Sequence, residues 1–326
     1  MILAYIIENG SIVKKEIIAG DSLPANMVWI DMHAPSIDEK KYIEKCFNID
    51  VLTSEEISRI EVMSPFYKSK EAYYMTLTTI NQNENGHFGS PFTSVMTHNC
   101  LITLHYSEML VIETFLNLTK HEIDIYKLPS VLLSALTEVF IHDVGEILEK
   151  TGNEMDSLIQ NVFEKRQDPN KSVGTNKYNE IIAKVGNTGN TISRCRESLV
   201  SINRLIIYFT QIEREKTAYK EHGLRLKHIS REISSLTEYA NFLSQRISFL
   251  LDATLGLLSV EQNMIVKVFT IASAVLMPPT LIASIYGMNF QYMPEINSEY
   301  GYPIALFLMF ISAVIPFHFF KKKGWV

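Results

Sequence analysis

Asp252, Ser259, Val266, Ser273, Thr280 and Gly287 recur every seventh residue, and Gly256, Asn263, Thr270, Met277 and Ser284 form an offset row. Alternating steps of three and four place both rows on one helix face, the seam of a helix packed against copies of itself. The positions between them are mostly Val, Phe, Ile, Ala and Leu. Two chemistries fit this spacing. Small residues allow apolar helices to approach closely. Alternatively, hydroxyl and amide groups held on one face of a membrane helix turn toward protein or water. Three features favour a water-filled path. Asn263 is costly in a tight seam, and Asp252 would put an acidic ring at one mouth. At the other end Tyr286-Gly287-Met288-Asn289-Phe290 supplies a conformationally permissive glycine and an amide where the apolar helix stops.

The elements that must carry this seam follow from composition. The chain has 326 residues, 47% of them hydrophobic, with a mean hydropathy of +0.06. That average hides two regimes. Residues up to about Ser259 are densely charged, whereas 268–286 and 302–320 contain no Asp, Glu, Lys or Arg. Each stretch approaches the roughly 20 residues that cross a bilayer. Lys267 stands at one edge of the first, and Lys321, Lys322 and Lys323 follow the second. The connection between them has no basic residue but carries Glu295 and Glu299. The positive-inside rule predicts both termini in the cytoplasm and the acidic loop outside. The first residues lack a basic region followed by an apolar core and a cleavage site, so no signal peptide is expected.

Short apolar, β-branched runs at Ile2–Ile7, Ser11–Ile18, Met27–Met32, Ala72–Ile80, Pro91–Thr97 and Cys100–His105 predict strands. Helical patterns at about 37–46, 54–60 and 107–118 lie among them. From Ser130 the spacing is helical to Arg166, with a break at Pro169-Asn170-Lys171. A second long helix is expected at about 176–222, interrupted around Gly186-Asn187-Thr188-Gly189. The third begins after Gly223 and continues into the apolar stretch; periodic patterns of this length point to a coiled coil, a membrane span or both. The fold class expected is α+β: a mixed α/β domain over 1–127, a helical stalk over 128–262 and a two-span membrane domain over 263–326. Within the last, spans lie at about 264–286 and 302–320, with an outer loop at 287–301 and a basic tail at 321–326.

Net charge is −6, which argues against nucleic acid as a partner. Cys46, Cys100 and Cys195 show no paired spacing and are expected as buried thiols of a reducing compartment. No Gly-rich phosphate loop and no nucleophile–base pattern is present, so no nucleotide cofactor and no enzyme is expected. His98, His105, His121 and His142 lack ligand spacing, and His318 is expected to be structural.

The residues 286–290, Met293-Pro294-Glu295, Tyr300-Gly301-Tyr302-Pro303 and Lys321-Lys322-Lys323-Gly324-Trp325, with Met277-Pro278-Pro279-Thr280, resemble the CorA family of magnesium transport proteins. The likeness is dense from about Asn241 onward and mainly architectural before it. It implies a funnel-shaped homopentamer in a cell inner membrane, with five first spans lining a pore and second spans facing lipid. Asn289 corresponds to the family's signature asparagine, which receives the ion, and Gly287 and Met288 hold its loop. Asn263, Thr270, Ser273, Met277 and Thr280 fall on pore-facing positions, Asp252 on the inner mouth and Glu295 on the outer loop. Mg²⁺ is then the transported and regulatory ion, with Co²⁺ and Ni²⁺ as further cargo. Mg²⁺ dehydrates reluctantly, so neutral oxygens that bind its waters suit the narrow part.

Two departures stand out. Val266 and Phe269 occupy the expected gate, where the family often has Met and Leu. On the stalk, His228-Ile229-Ser230-Arg231 replaces the acids that sense Mg²⁺ in some members. A zinc transporter of the same superfamily and a membrane-tethered sensor or scaffold are the alternatives.

Overall fold

The computed structural model describes residues 1–8, 11–24, 26–83, 86–118, 127–163, 175–214, 219–289, 291, 293–294 and 298–325. Contacts divide the chain into two units, Met1–Lys165 with Glu180–Leu250, and Arg166–Asn179 with Leu251–Val326.

The first unit holds a seven-stranded sheet. Its strands are β1 (Ile2–Glu8), β2 (Ser11–Ile17), β3 (Met27–His33), β4 (Phe66–Ser69), β5 (Ala72–Asn83), β6 (Gly86–Met96) and β7 (Leu101–His105), in the order β2-β1-β3-β7-β6-β5-β4. Hairpin neighbours are antiparallel, whereas β3 and β7 run parallel from Trp29 opposite Leu101 to His33 opposite His105. This pairing explains the composition of β7. A central parallel strand is covered on both faces and loses the polar alternation of a half-exposed one; all five residues of β7 are buried. The six strands expected from sequence all form. The seventh, β4, is short and partly exposed, so it carried no periodic signal.

Helices α1 (Ile37–Phe47) and α2 (Ser54–Met63) contribute Ile43 and Ile57 to a core with Ile2, Ala4, Ile30, Met32, Tyr74 and Ile102. A capping box starts α1: the Glu39 amide donates to Ser36 Oγ (3.3 Å), and the Ser36 amide donates to Glu39 Oε2 (2.7 Å). A second aromatic cluster links the sheet to α3 (Leu110–Leu118) and α4 (Pro129–Phe163). Trp29 stacks on Tyr5 at 4.2 Å and meets Phe115 edge-on at 5.7 Å, while Phe92 meets Phe140 at 4.9 Å.

A polar network is sealed inside this sheet. Trp29 Nε1 donates to Thr103 Oγ1 (2.9 Å), which donates to Asp31 Oδ1 (2.5 Å). His105 Nε2 lies 3.2 Å from Asp31 Oδ2, and its Nδ1 lies 2.6 Å from the Ser107 carbonyl. Both ring nitrogens face acceptors, so only the doubly protonated imidazole satisfies both. Burial lowers the His105 pKa, but the hydrogen bond and charge of Asp31 outweigh it and the net shift is upward. His105 is thus a satisfied core histidine, as its sequence context implied; His121 lies outside the described residues.

Helix α5 (Thr175–Arg214) is continuous through Gly186-Asn187-Thr188-Gly189, contrary to the interruption expected there. Tertiary packing overrides the two glycines. Ile181, Val185, Ile192 and Cys195 are buried at helical spacing on either side, and a β-carbon on Gly189 would only touch Ile247 at 3.5 Å. The expected break at 169–171 falls outside the described residues. Helix α6 (Tyr219–Tyr286) begins before Gly223 rather than after it. Within the first unit it is tied to α4 by a bidentate Arg225–Glu138 pair (2.8 and 2.6 Å) and by Arg246 donating to Asp156 (2.6 Å).

The second unit contains the end of α6 and α7 (Gly301–Lys322). Both helices are long and apolar enough to cross a membrane, and their apolar windows are almost wholly exposed. Prolines at 278, 279 and 316 lie inside these helices. Lacking amide hydrogens, Pro278 and Pro279 leave the Ala274 and Val275 carbonyls without their usual helical donors.

Candidate ion pathway

From Ile271 to Tyr286 the exposed and covered residues of α6 sort by face, whereas every residue from Gln262 to Thr270 is exposed. Asp252, Gly256, Ser259, Asn263, Val266, Thr270, Ser273, Met277, Thr280, Ser284 and Gly287 are all exposed. Ile271, Ala274, Val275, Pro278, Pro279, Ile282 and Tyr286 are partly buried. The whole seam is therefore exposed, and from Ser273 to Gly287 it lies on the uncovered side of the helix. Phe269 is 70% exposed and Val266 61%, so the two bulky residues expected as a gate also project from the single chain. A surface groove of about 510 Å³ runs along the outer part of this face, lined by Ser273, Met277, Thr280 and Ser284 among others.

The threonines carry a chemical detail that spacing does not reveal. Thr270 Oγ1 donates to the Val266 carbonyl (2.8 Å), and Thr280 Oγ1 donates to the Leu276 carbonyl (2.7 Å). Each hydroxyl has one hydrogen, and each spends it on its own helix. What remains available is a pair of oxygen lone pairs. Such a group accepts hydrogen bonds from water and offers none, which suits the hydration shell of a cation.

At the end of the seam the Gly287 amide donates to the Ala283 carbonyl (2.9 Å) and the Met288 amide to that of Ile285 (3.2 Å). Asn289 is the first residue beyond this closing turn, and both Met288 and Asn289 are exposed. Gly287 is not required here for a positive φ, which among the described glycines occurs at Gly20, Gly86 and Gly324. Its constraint is steric instead. A β-carbon at this position would lie 3.2 Å from the Ala283 carbonyl oxygen, tighter than ordinary contact. Glu295 lies outside the described residues. Among the described residues no three His, Cys, Asp or Glu side chains converge on a metal position.

One feature at the opposite end escaped the sequence reading. The Gly324 amide donates to the Lys321 carbonyl and the Trp325 amide to that of Phe320, both at 3.1 Å, while Gly324 adopts φ +68°. These are the two bonds of a Schellman cap, with glycine in the left-handed position. The cap turns the chain back so that Trp325 stacks on Phe320 at 5.4 Å. Lys267 of α6 then lies 5.7 Å from the Trp325 ring centre. A glycine just after a basic helix end was the available signal; the meeting with Lys267 was not predictable from it.

A two-helix apolar hairpin with a polar seam, joined in sequence to an α/β unit, fits the class of membrane proteins. The chain belongs to the CorA-like Mg2+ transporter protein family, whose model matches residues 24–322. The family is one of transporters. Among curated relatives, the magnesium transport protein CorA of Wolinella succinogenes is 29% identical over 307 residues, covering 93% of this chain and 92% of that protein. The magnesium transport protein CorA of Escherichia coli K12 is 26% identical over 327 residues, covering both chains completely. The complete CorA magnesium transporter structure from Methanocaldococcus jannaschii shares the fold with a TM-score of 0.76 at 19% identity, covering 100% of this chain and 99% of that one.

Proposed function

We propose that five copies of this chain surround an axis and form a channel through which Mg²⁺ flows into the cell, with Co²⁺ and Ni²⁺ as further permeant ions. The observation that carries this reading is the uninterrupted exposure of the α6 seam on an apolar helix. Polar groups in that setting need water or neighbouring copies, and two spans cannot enclose a channel alone. The names of the bacterial relatives support Mg²⁺ as the ion.

On this reading a ring of Asn289 side chains receives the hydrated ion, with Gly287 and Met288 shaping the mouth and Glu295 and Glu299 raising local cation concentration. Asn263, Thr270, Ser273, Met277 and Thr280 line the path to the Asp252 ring. Oxygens in the path contact the ion's waters without replacing them, which avoids the dehydration that Mg²⁺ resists. Val266 and Phe269 form the apolar constriction, where narrowing expels water and stops conduction. An inside-negative membrane potential drives a divalent ion inward by about 4.6 kcal/mol per 100 mV, so no nucleotide is needed. Both termini lie in the cytoplasm and the spans cross the inner membrane. The Lys267–Trp325 contact supports this topology, since it brings the basic ends of both spans to one side.

Asn289→Ala in reconstituted vesicles tests the pathway. Mg²⁺ uptake is expected to vanish while the oligomer stays intact; normal uptake by the variant would remove Asn289 from the entrance. Competition between Mg²⁺ and Zn²⁺ in the same assay separates this channel from a zinc transporter.

A further inference from the structure

The capped tail assembles a second feature that the pathway does not use. Lys321, Lys322 and Lys323 end α7, and Lys267 of α6 reaches the same place through Trp325. All four lysines are exposed, and among the described residues none forms a salt bridge. Beside them is an aromatic floor. Phe319 meets Phe320 edge-on at 5.7 Å, Phe320 stacks on Trp325, and Lys323 Nζ lies 4.9 Å from the Phe319 ring centre. Trp325 remains 41% exposed. Unpaired cations beside an amphipathic indole at the end of an apolar helix present two chemistries at once, positive charge and an apolar shelf.

We propose that Lys267, Lys321, Lys322, Lys323 and Trp325 form a binding site for the phosphate headgroup of an anionic phospholipid. The occupant follows from charge and shape together. The lysines complement a phosphate that keeps its net negative charge, which a zwitterionic lipid lacks. The aromatic floor fits the glycerol and first acyl carbons, which free phosphate lacks. Each lysine near an anionic surface contributes about fivefold in affinity. Trp325 is a positioning residue here: its cap returns it to α6 and gathers Lys267 into the tail cluster. Lys267 directly follows Val266 in α6, so the site and the proposed constriction share one turn of helix. This inference rests on α6 and α7 being membrane spans.

The test uses the full chain in phosphatidylcholine vesicles, with tryptophan fluorescence as the readout. Subtracting the Trp325→Phe variant removes the signal of Trp29, the other tryptophan. Brominated phosphatidylglycerol is expected to quench Trp325 with at least about fivefold preference over brominated phosphatidylcholine. Lys267→Gln should lower that preference, and replacing Lys267 together with all three tail lysines by glutamine should bring it to unity. Equal quenching by the two lipids, or an unchanged preference in the glutamine variants, would overturn the site and leave the channel reading standing. Loss of the preference on adding inorganic phosphate would assign the site to free phosphate and overturn the lipid. Quenching by neither lipid would overturn the membrane placement itself, and the proposal with it.

Discussion

The two units treat polar side chains in opposite ways. In the first, Asp31, Thr103 and His105 are buried within a sheet and satisfy one another together with Trp29. In the second, Ser259, Asn263, Thr270, Ser273 and Thr280 stand exposed on an apolar helix. A buried network that closes on itself explains its own presence as structure. An exposed polar row on a helix fit to cross a membrane does not, and needs water, an ion or neighbouring copies to account for it. Substitutions in the two places should therefore fail differently, one in stability and the other in transport.

The largest expected effect is in the sheet. Asp31→Ala strands a buried imidazole and should cost about 3–5 kcal/mol, read as a lower thermal transition in detergent. Protein that still folds should conduct normally; a loss of flux in a fully folded variant would break the contrast. Next in size, Thr270→Val with Thr280→Val removes two hydroxyl acceptors of each chain from the proposed path. Flux should fall about tenfold, equivalent to about 1.4 kcal/mol of barrier, with the thermal transition nearly unchanged.

A smaller effect is a pH dependence. The folded His105 pKa is raised, so the Asp31 pair contributes fully below about pH 6.5 and fades as pH climbs through the raised value. The melting difference between the chain and His105→Asn should shrink from mildly acidic to alkaline pH. The smallest concerns Asp143, whose pKa rises to about 6 because burial and then Glu146 disfavour its charge. Its ionised form weakens the fold above that pH, and the penalty disappears toward the ordinary carboxylate range near 4. Asp143→Asn should raise the melting temperature slightly at neutral pH and give no gain at pH 4.

Legibility in the sequence followed the range of the interactions. Strands β1 and β7 were readable as short apolar, β-branched runs, and the α6 seam because periodicity within one segment determines which face is which. Asp31 and His105 lie 74 residues apart in the chain, so their pairing had no local sign. Gly186 and Gly189 misled because helix propensity is a weak local preference, and the buried residues around them decide the outcome. Gly287 drew notice for conformational freedom, yet its constraint is the nearby Ala283 oxygen. The Trp325–Lys267 meeting was hidden for the same reason as the histidine pair, since its partners belong to different helices.

The threonine hydroxyls of α6 have one more consequence, which concerns the sign of the charge. In the proposed channel, a wall that only accepts hydrogen bonds at these two levels would turn neighbouring water with hydrogens toward the wall and oxygens toward the axis. At the Thr270 and Thr280 levels an anion such as chloride would meet the negative ends of those dipoles, although the wall carries no formal charge. Anion rejection can thus be inherited from two backbone carbonyls, Val266 and Leu276, which never touch the water they organise.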